Sequence, residues 1–422
     1  MRLVLASYGG RGDIEPAVVV GRELQRRGHE VTMAVPPNLV EFTSAVGLRA
    51  VDYGLDSVPI LDLQRRYFTC YSRTPWRLGK LRSMAKETER FAAQCWTEMT
   101  AALAAEAKGA DLLLTGLIFE QPAANVAEAL DLPFVALHYF PCRPHGQLLP
   151  FLPAPLSRTV MRVNDWTAWR GTRRDEDLQR GQLGLAPATA PVPQRIAARG
   201  SLEIQAFEQV LFPGLADEWS TRDGRRPVVG ALALAQPTDA DEEVAEWIAA
   251  GPPPVFFGFG SVPIGSPAET VEMIAAASAQ LGERALIGAG GTDLQSVPRF
   301  DHVKVVGQVN YATIFPLCRA VVHHGGAGTL AAGLRAGVPQ LVLWTLPDQP
   351  FVAAQLKRMK VGAGLRFSTT TETSLVTSLR RILTPEYRTR AREIAQRVTT
   401  PAESAAAAAD LVEEYARAGV GR

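Results

Sequence analysis

Short apolar runs alternate with helical patterns along this chain, and the alternation occurs twice. RLVLA at 2–6 leads through a glycine loop into the helical pattern IEPAVVVGRELQRRG and then EVTMAV at 30–35. Such a strand, helix, strand series predicts a parallel sheet covered by helices. DLLLTG at 111–116, a helical stretch after Glu120, and PFVAL at 133–137 continue one doubly wound unit. The series breaks at HYFPCRPHGQLLPFLPAPL, 138–156, whose prolines and aromatics predict an extended loop over the end of the sheet, followed by a helical stretch rich in Arg and Trp. A second interruption, FPGLADEWSTRDGRRP at 212–227, carries turn residues with little periodicity and reads as the linker. After it the series restarts with PVFFGFG, a helix over about 267–281, RALIGA, VKVVGQ, RAVVHHGG, a helix and PQLVLW.

The predicted fold is therefore α/β, with two doubly wound, Rossmann-like domains. Their bounds read as 1–213 and 235–400, joined by a linker at 214–234, with a C-terminal helix at 401–422 packing back toward the first domain. Two such units facing each other would leave a central cleft between the carboxyl ends of their strands, where open α/β sheets bind ligands. With 47% hydrophobic residues, 422 residues suffice for two cores. Forty-four basic against 43 acidic residues give no reason to expect a nucleic-acid partner. Cys70, Cys95, Cys142 and Cys318 are far apart and form no C-x-x-C pair, which argues against both a disulfide framework and a zinc site and fits a reducing cytosol. No apolar run reaches the roughly 18 residues of a membrane span, and Gly9 to Asp13 is polar where a signal peptide would stay apolar, so the expectation is a soluble protein.

Glycine beside a helix start points to phosphate, because a helix offers free amides and partial positive charge there. The dinucleotide pattern G-x-G-x-x-G fails three times, with Glu15, Pro263 and Asp293 at the third glycine position, and no P-loop occurs. A nicotinamide cofactor is therefore disfavoured. In VVHHGGAGTLAAGLRAGVP, 321–339, an apolar strand delivers two histidines to a tight turn and Thr329 reads as opening the next helix. An imidazole, a hydroxyl and converging amides make a diphosphate cradle. FGFGS, ending at Ser261, supplies a second grip, and two grips on one domain suggest a nucleoside diphosphate. Adjacent imidazoles point different ways and have no third ligand at helical spacing, so no metal site is expected.

These residues resemble the GT-B glycosyltransferases of the large family that includes the antibiotic, sterol and glycolipid glycosyltransferases of bacteria and the UDP-glycosyltransferases of plants and animals. The resemblance covers nearly the whole chain through YGGRGDIEP at 8–16, RRGHEVTMAVPP at 26–37, FGFGS at 257–261, VNYATIFPLCRAVVHHGGAGT at 309–329 and AGVPQLVLWTLPDQPFVAAQ at 336–355. It implies that His324 binds the donor's diphosphate together with Ser261, Gly325, Gly326, Gly328 and Thr329. It places Gln308, Val309 and Asn310 along the nucleobase and Asp348 and Gln349 on the donor sugar. Asp13 falls at the position of the family's catalytic base, and Gly10, Arg11, His138 and Phe140 become acceptor-pocket residues. Gly10 stands where many bacterial relatives carry a hydroxyl residue, and Trp344 and Thr345 replace the usual proline-containing stretch before the sugar-binding pair. VPQLVLWTLPDQP and VNYATIFP resemble most the actinobacterial cell-envelope glycolipid glycosyltransferases.

The residue types and the resemblance together imply an inverting transfer of a hexosyl or deoxyhexosyl group from a UDP- or dTDP-sugar to an acceptor hydroxyl, with no metal or other cofactor. Asp239 to Asp241, although a literal D-x-D, lies in a polar turn opening a helix and reads as a cap. Residues 65–90 mix eight basic residues with Tyr67, Phe68, Tyr71 and Trp76, which suits a lipid-like acceptor or contact with the cytoplasmic face of a membrane as well as it suits a solvated helix. A natural-product acceptor is equally compatible. A nucleotide-sugar epimerase and a non-catalytic nucleotide-sugar-binding protein are the rival readings. Asp13 together with His324, Asp348 and Gln349 argues against the second.

Overall fold

All nine apolar runs become strands; eight are buried on both faces, as a parallel sheet requires of its interior, while Val303–Val306 at a sheet edge is half-buried. The computed structural model describes residues 1–74, 76–147, 152–220, 225–260, 266–290, 297–346 and 348–420. These residues divide into two compact units, Met1–Leu232 with Pro401–Arg422, and Ala233–Thr400. The first contains β1 (Arg2–Ala6), β2 (Glu30–Val35), β3 (Arg49–Asp52), β4 (Leu112–Thr115), β5 (Phe134–His138) and β6 (Leu202–Gln205). They pair in parallel in the order β3-β2-β1-β4-β5-β6. Helices Arg11–Arg26 and Leu78–Glu106, among others, connect them. Val4, Ala6, Leu113 and Ala136 from the central strands meet Met99 and Leu103 of the second helix in one core.

The second unit repeats the plan with β7 (Val255–Gly258), β8 (Ala285–Gly288), β9 (Val303–Val306), β10 (Ala320–His323), β11 (Gln340–Trp344) and β12 (Gly362–Arg366). Their order is β12-β11-β10-β7-β8-β9, all parallel. Phe257, Ile287, Val322 and Leu341 pack on one face against Ile274, Leu375 and Leu379. Phe256 and Val321 pack on the other against Val244 and Phe315.

Three strands have no counterpart in the sequence reading. RAVD (β3), LEIQ (β6) and GAGLR (β12) each lie at a sheet edge, where one neighbouring strand suffices and a continuous apolar run is not required. The stretch read as a linker is also corrected in part. Leu215–Ser220 is a helix whose Leu215 and Trp219 are buried, the indole packing edge-on to Phe207 and His145. Two apolar residues four apart suffice for one buried turn but are too few to show as periodicity.

The C-terminal helix Pro401–Val420 belongs to the first unit. Ala408, Ala409, Val412 and Ala416 form its fully buried stripe. Arg27 donates to Asp410 Oδ1 at 2.6 Å and to the Ala406 carbonyl at 3.2 Å, and His29 Nε2 lies 2.8 Å from Glu413 Oε1. Val412→Ala should destabilise this unit by about 2 kcal/mol through a small cavity. Hydrogen exchange should then speed up in Arg11–Arg26 and leave β7 to β12 unchanged; equal acceleration in both sheets would contradict the assignment of this helix.

Candidate functional site

Each sheet has one place where the strand order reverses, and there the loops leaving adjacent strands part and leave a crevice beyond their carboxyl ends. In the second unit this place lies between β7 and β10. β7 runs into Phe259 and Gly260, while β10 runs into His324, Gly325 and Gly326 and then into the helix Ala327–Arg335. The His324 ring occupies the space between two glycines. A Cβ on Gly260 would stand 2.6 Å from its Cε1, and one on Gly326 would stand 2.6 Å from its Nε2. Gly260 also has φ +60°, a conformation that glycine adopts without strain. Nδ1 of His324 is buried and has no hydrogen-bond partner among the described residues. Burial lowers the pKa of this imidazole to about 4, so at neutral pH it is uncharged, with one nitrogen able to donate.

Gly326 caps the helix without a side chain, so the amides of Ala327, Gly328 and Thr329 enter the first turn with no helical acceptor. The helix opens at Ala327 and not at Thr329, which sits in its first turn. Gly325 touches Gln349: a Cβ there would meet that side chain at 3.1 Å. His323 is fully buried, and its Nδ1 accepts from the Gly325 amide at 3.1 Å, which holds the turn. Burial and the neighbouring His324 push its pKa down to about 3. A neutral imidazole and free helix amides converging on one crevice can receive the oxygens of an anion.

Asp348 stands at the start of the helix Gln349–Arg358, exposed, and its side chain makes no capping hydrogen bond. Gln349 is buried, and its Oε1 accepts from the amides of Thr345 at 2.7 Å and Leu346 at 2.9 Å. Its oxygen is therefore committed to the loop, and the amide nitrogen makes no hydrogen bond among the described residues. Of the Gln349 side chain, the amide nitrogen is thus the atom left able to donate to a ligand. Gln308 is exposed, Val309 is buried in the core, and Asn310 caps the helix that follows by accepting from Ala312 N at 3.1 Å. The Asn310 amide donates to Asp241 Oδ1 at 2.8 Å, and the same carboxylate accepts from the Thr238 amide and hydroxyl, each at 2.8 Å. The D-x-D carboxylate thus ties the turn at 238–241 to the loop at 308–310, a role its turn-and-cap reading did not include. Ser261 lies outside the described residues.

In the first unit the reversal lies between β1 and β4. Gly9 and Gly10 follow β1, and Asp13 lies in the first turn of the helix Arg11–Arg26. Its Oδ2 accepts from the Gly10 amide at 2.7 Å and its Oδ1 from the Tyr139 hydroxyl at 2.5 Å. Gly9, at φ +126°, leaves the space into which this carboxylate folds back. The Arg11 guanidinium lies 4.6 Å above the centre of the Phe42 ring and 3.8 Å from Glu15. Phe140 is half-buried against Phe212.

His138 requires a correction. At the end of β5 it is fully buried, Nε2 lying 2.9 Å from Glu120 Oε1 and Nδ1 lying 3.1 Å from the Gln205 amide. Arg143 donates to Glu120 at 2.7 Å and also pairs with Glu203, which completes an internal charge network. Burial alone would depress the pKa of His138; Cys142 and Glu120 outweigh it and raise it to about 9. A residue so enclosed holds the interior and does not line an acceptor pocket. Its neighbour Tyr139, which sequence reasoning passed over, is the one that reaches Asp13. Among the described residues no group of three His, Cys, Asp or Glu side chains is placed to hold a metal ion, and no helix is long and apolar enough to cross a membrane.

Known proteins share this two-unit architecture. Residues 3–142 match the glycosyltransferase family 28 N-terminal domain, and 274–414 match the erythromycin biosynthesis protein CIII-like C-terminal domain. An uncharacterized glycosyltransferase of Mycobacterium tuberculosis is 55% identical over 99% of both chains. The vancomycin aglycone glucosyltransferase of Amycolatopsis orientalis is 30% identical over 98% of this chain and 97% of its own. The crystal structure of the glycosyltransferase VinC in complex with dTDP shares the fold with a TM-score of 0.64, at 20% identity and over 100% of both chains.

The two depressed histidines set an acid limit. Their folded pKa values, about 3 and about 4, lie below the ordinary 6.5, so below pH 6.5 the unfolded chain binds more protons than the folded one. Stability of the second unit should therefore fall as pH drops from 6.5 toward 4. In thermal unfolding across that range, His324→Ala should show a shallower decline than the wild type; parallel declines would mean that His324 titrates normally in the folded state.

Proposed function

This chain belongs to the GT-B glycosyltransferases of the family that holds the antibiotic and glycolipid glycosyltransferases of bacteria, and on that premise we propose a specific reaction for it. It transfers a hexosyl or deoxyhexosyl group from a UDP- or dTDP-sugar to a hydroxyl of a lipid-like or natural-product acceptor, with inversion and with no metal required. The observation that carries this reading is His324, a half-buried neutral imidazole whose buried Nδ1 has no partner among the described residues, gripped between Gly260 and Gly326 at the head of a helix. The named activity of the Amycolatopsis relative supports a hexose donor, and the dTDP held by VinC supports a pyrimidine nucleotide.

The acceptor oxygen attacks the anomeric carbon from the face opposite the leaving group. The new C–O bond forms as the bond to the phosphate oxygen breaks, and the nucleoside diphosphate departs with the electron pair. His324 and the amides of residues 327–329 offset the charge that develops on it. Asp13 takes the proton lost by the acceptor hydroxyl. A carboxylate with an ordinary pKa of about 3.9 is a weak base toward an alcohol, so leaving-group stabilisation and positioning supply most of the acceleration. Asp348 accepts from, and the Gln349 amide donates to, hydroxyls of the donor sugar.

An apolar acceptor met in the cytoplasm, at the inner face of a membrane, is supported by the surface of the first unit. Tyr71, Trp76 and Leu78 are exposed beside Arg77, Lys80 and Arg82. The helix Ala154–Gln182 exposes Leu156, Val160, Val163 and Trp166 together with Arg162, Arg170 and Arg174. Apolar side chains ringed by cations are what an anionic lipid surface attracts.

Titration calorimetry of UDP and dTDP in the presence of a chelator tests the donor site. Wild type should bind one of them, and His324→Ala should weaken it about 10- to 100-fold, the cost of about 1.5–3 kcal/mol for a hydrogen bond to a charged group. Asp348→Ala should weaken the sugar nucleotide more than the free nucleotide. Asp13→Asn should abolish transfer while nucleotide affinity stays within about twofold. Unchanged nucleotide affinity in His324→Ala would remove the diphosphate assignment.

A further inference from the structure

Asp13 lies beyond β1, and the residue that reaches its carboxylate comes from β5, two strands away. Neighbouring strands are spaced about 4.8 Å apart, so the gap is roughly 10 Å, which an aromatic side chain with a terminal hydroxyl can span toward a carboxylate and a serine cannot. The intervening strand, β4, ends at Thr115, and the next residue is Gly116, which lies against Ser7: a Cβ there would stand 2.5 Å from its Oγ. Strand alternation then orients the pair at the end of β5: His138 is locked inward on Glu120 and Gln205, so Tyr139 is directed to the other side.

We propose that Tyr139 is the positioning residue of the transfer reaction, its phenol O–H holding Asp13 Oδ1 while the Gly10 amide holds Oδ2, so that the carboxylate keeps one orientation toward the acceptor hydroxyl. The inference rests on the reading of Asp13 as the base. It also answers the departure at Gly10: glycine supplies no hydroxyl beside the base, and a hydroxyl from β5 takes that place. Two donors on one carboxylate stabilise its charged form, which lowers its basicity; what they provide is a fixed direction for the lone pairs that remain.

Tyr139→Phe keeps the ring and deletes only the donor. Among the described residues, the charged groups near Asp13 include Arg11 and Glu15 on its own helix, His138, Glu120 and Arg143 behind Tyr139, and Asp56 beyond Tyr8, whose hydroxyl lies 3.5 Å from the Asp56 carbonyl. All of them remain in the variant, so a moved titration reports the phenol. Two readouts serve: the carboxyl carbon signal of Asp13 followed by NMR against pH, assigned with Asp13→Asn, and hydrolysis of UDP-glucose and dTDP-glucose with water as acceptor.

In Tyr139→Phe the Asp13 titration should move to higher pH, by about one unit for the loss of one charge-assisted hydrogen bond. The acid limb of hydrolysis should move with it, and kcat should fall about 10- to 100-fold while donor KM stays within about twofold. A Tyr139→Phe enzyme whose Asp13 titrates as in the wild type, or whose kcat is unchanged, overturns the proposal. If Asp13→Asn hydrolyses donor as fast as the wild type, the reading of Asp13 as base fails instead, and the inference with it. Loss of activity together with lost donor affinity would mark Tyr139 as merely structural and would also overturn it.

Discussion

Between β7 and β10 the order of the second sheet reverses, and the connections on either side of that pair turn in opposite directions. The crevice this opens has no side chains of its own; it is lined by whatever the two loops carry. Among the described residues Gly260, Gly325 and Gly326 stand beside it, and the imidazole of His324 fills the gap between Gly260 and Gly326. Packing of that ring between two stretches of bare backbone fixes the turn from which the helix Ala327–Arg335 starts. It also excludes water from Nδ1, leaving a polar atom buried with no partner among the described residues. A buried unsatisfied group costs on the order of 1–3 kcal/mol, a cost that persists where function needs the group.

The first unit uses the same architecture for a different end. Its reversal, between β1 and β4, presents a carboxylate in place of an imidazole, and each oxygen of Asp13 accepts one hydrogen bond where His324 has a nitrogen without a partner among the described residues. The contrast fits the roles proposed for the two groups. An imidazole that receives a leaving diphosphate has to be free to donate. A carboxylate that receives one proton from one direction has to be held. The internal network of Glu120, His138, Arg143 and Glu203 lies behind it and fixes the end of β5, from which Tyr139 projects.

Strands buried on both faces were readable in the sequence because burial on both faces demands an unbroken apolar run; RLVLA and AVVH are examples. RAVD, LEIQ and GAGLR were not, since an edge strand carries no such demand. The site divides the same way. His324 could be singled out from a motif contained within a few residues. Its enclosure by Gly260 depends on a residue more than sixty positions away, and the commitment of Gln349 to the loop before it depends on a backbone path that residue types do not specify. His138 followed a strand directly, as a pocket residue might, and only the three-dimensional arrangement brings Glu120 and Gln205 onto its ring. Tyr139 carried one available signal, a phenol two residues beyond PFVAL.

The central claim is that the His324 imidazole meets the diphosphate. Nitrogen-15 NMR of histidine-labelled protein, with the His324 signals assigned through His324→Gln, measures this contact at the atoms concerned. On addition of dTDP or UDP, a ring nitrogen of His324 should shift by several parts per million as it donates to a phosphate oxygen, while those of His323 stay in place. Saturation with either nucleotide that left the His324 nitrogens where they were would contradict the account at its base.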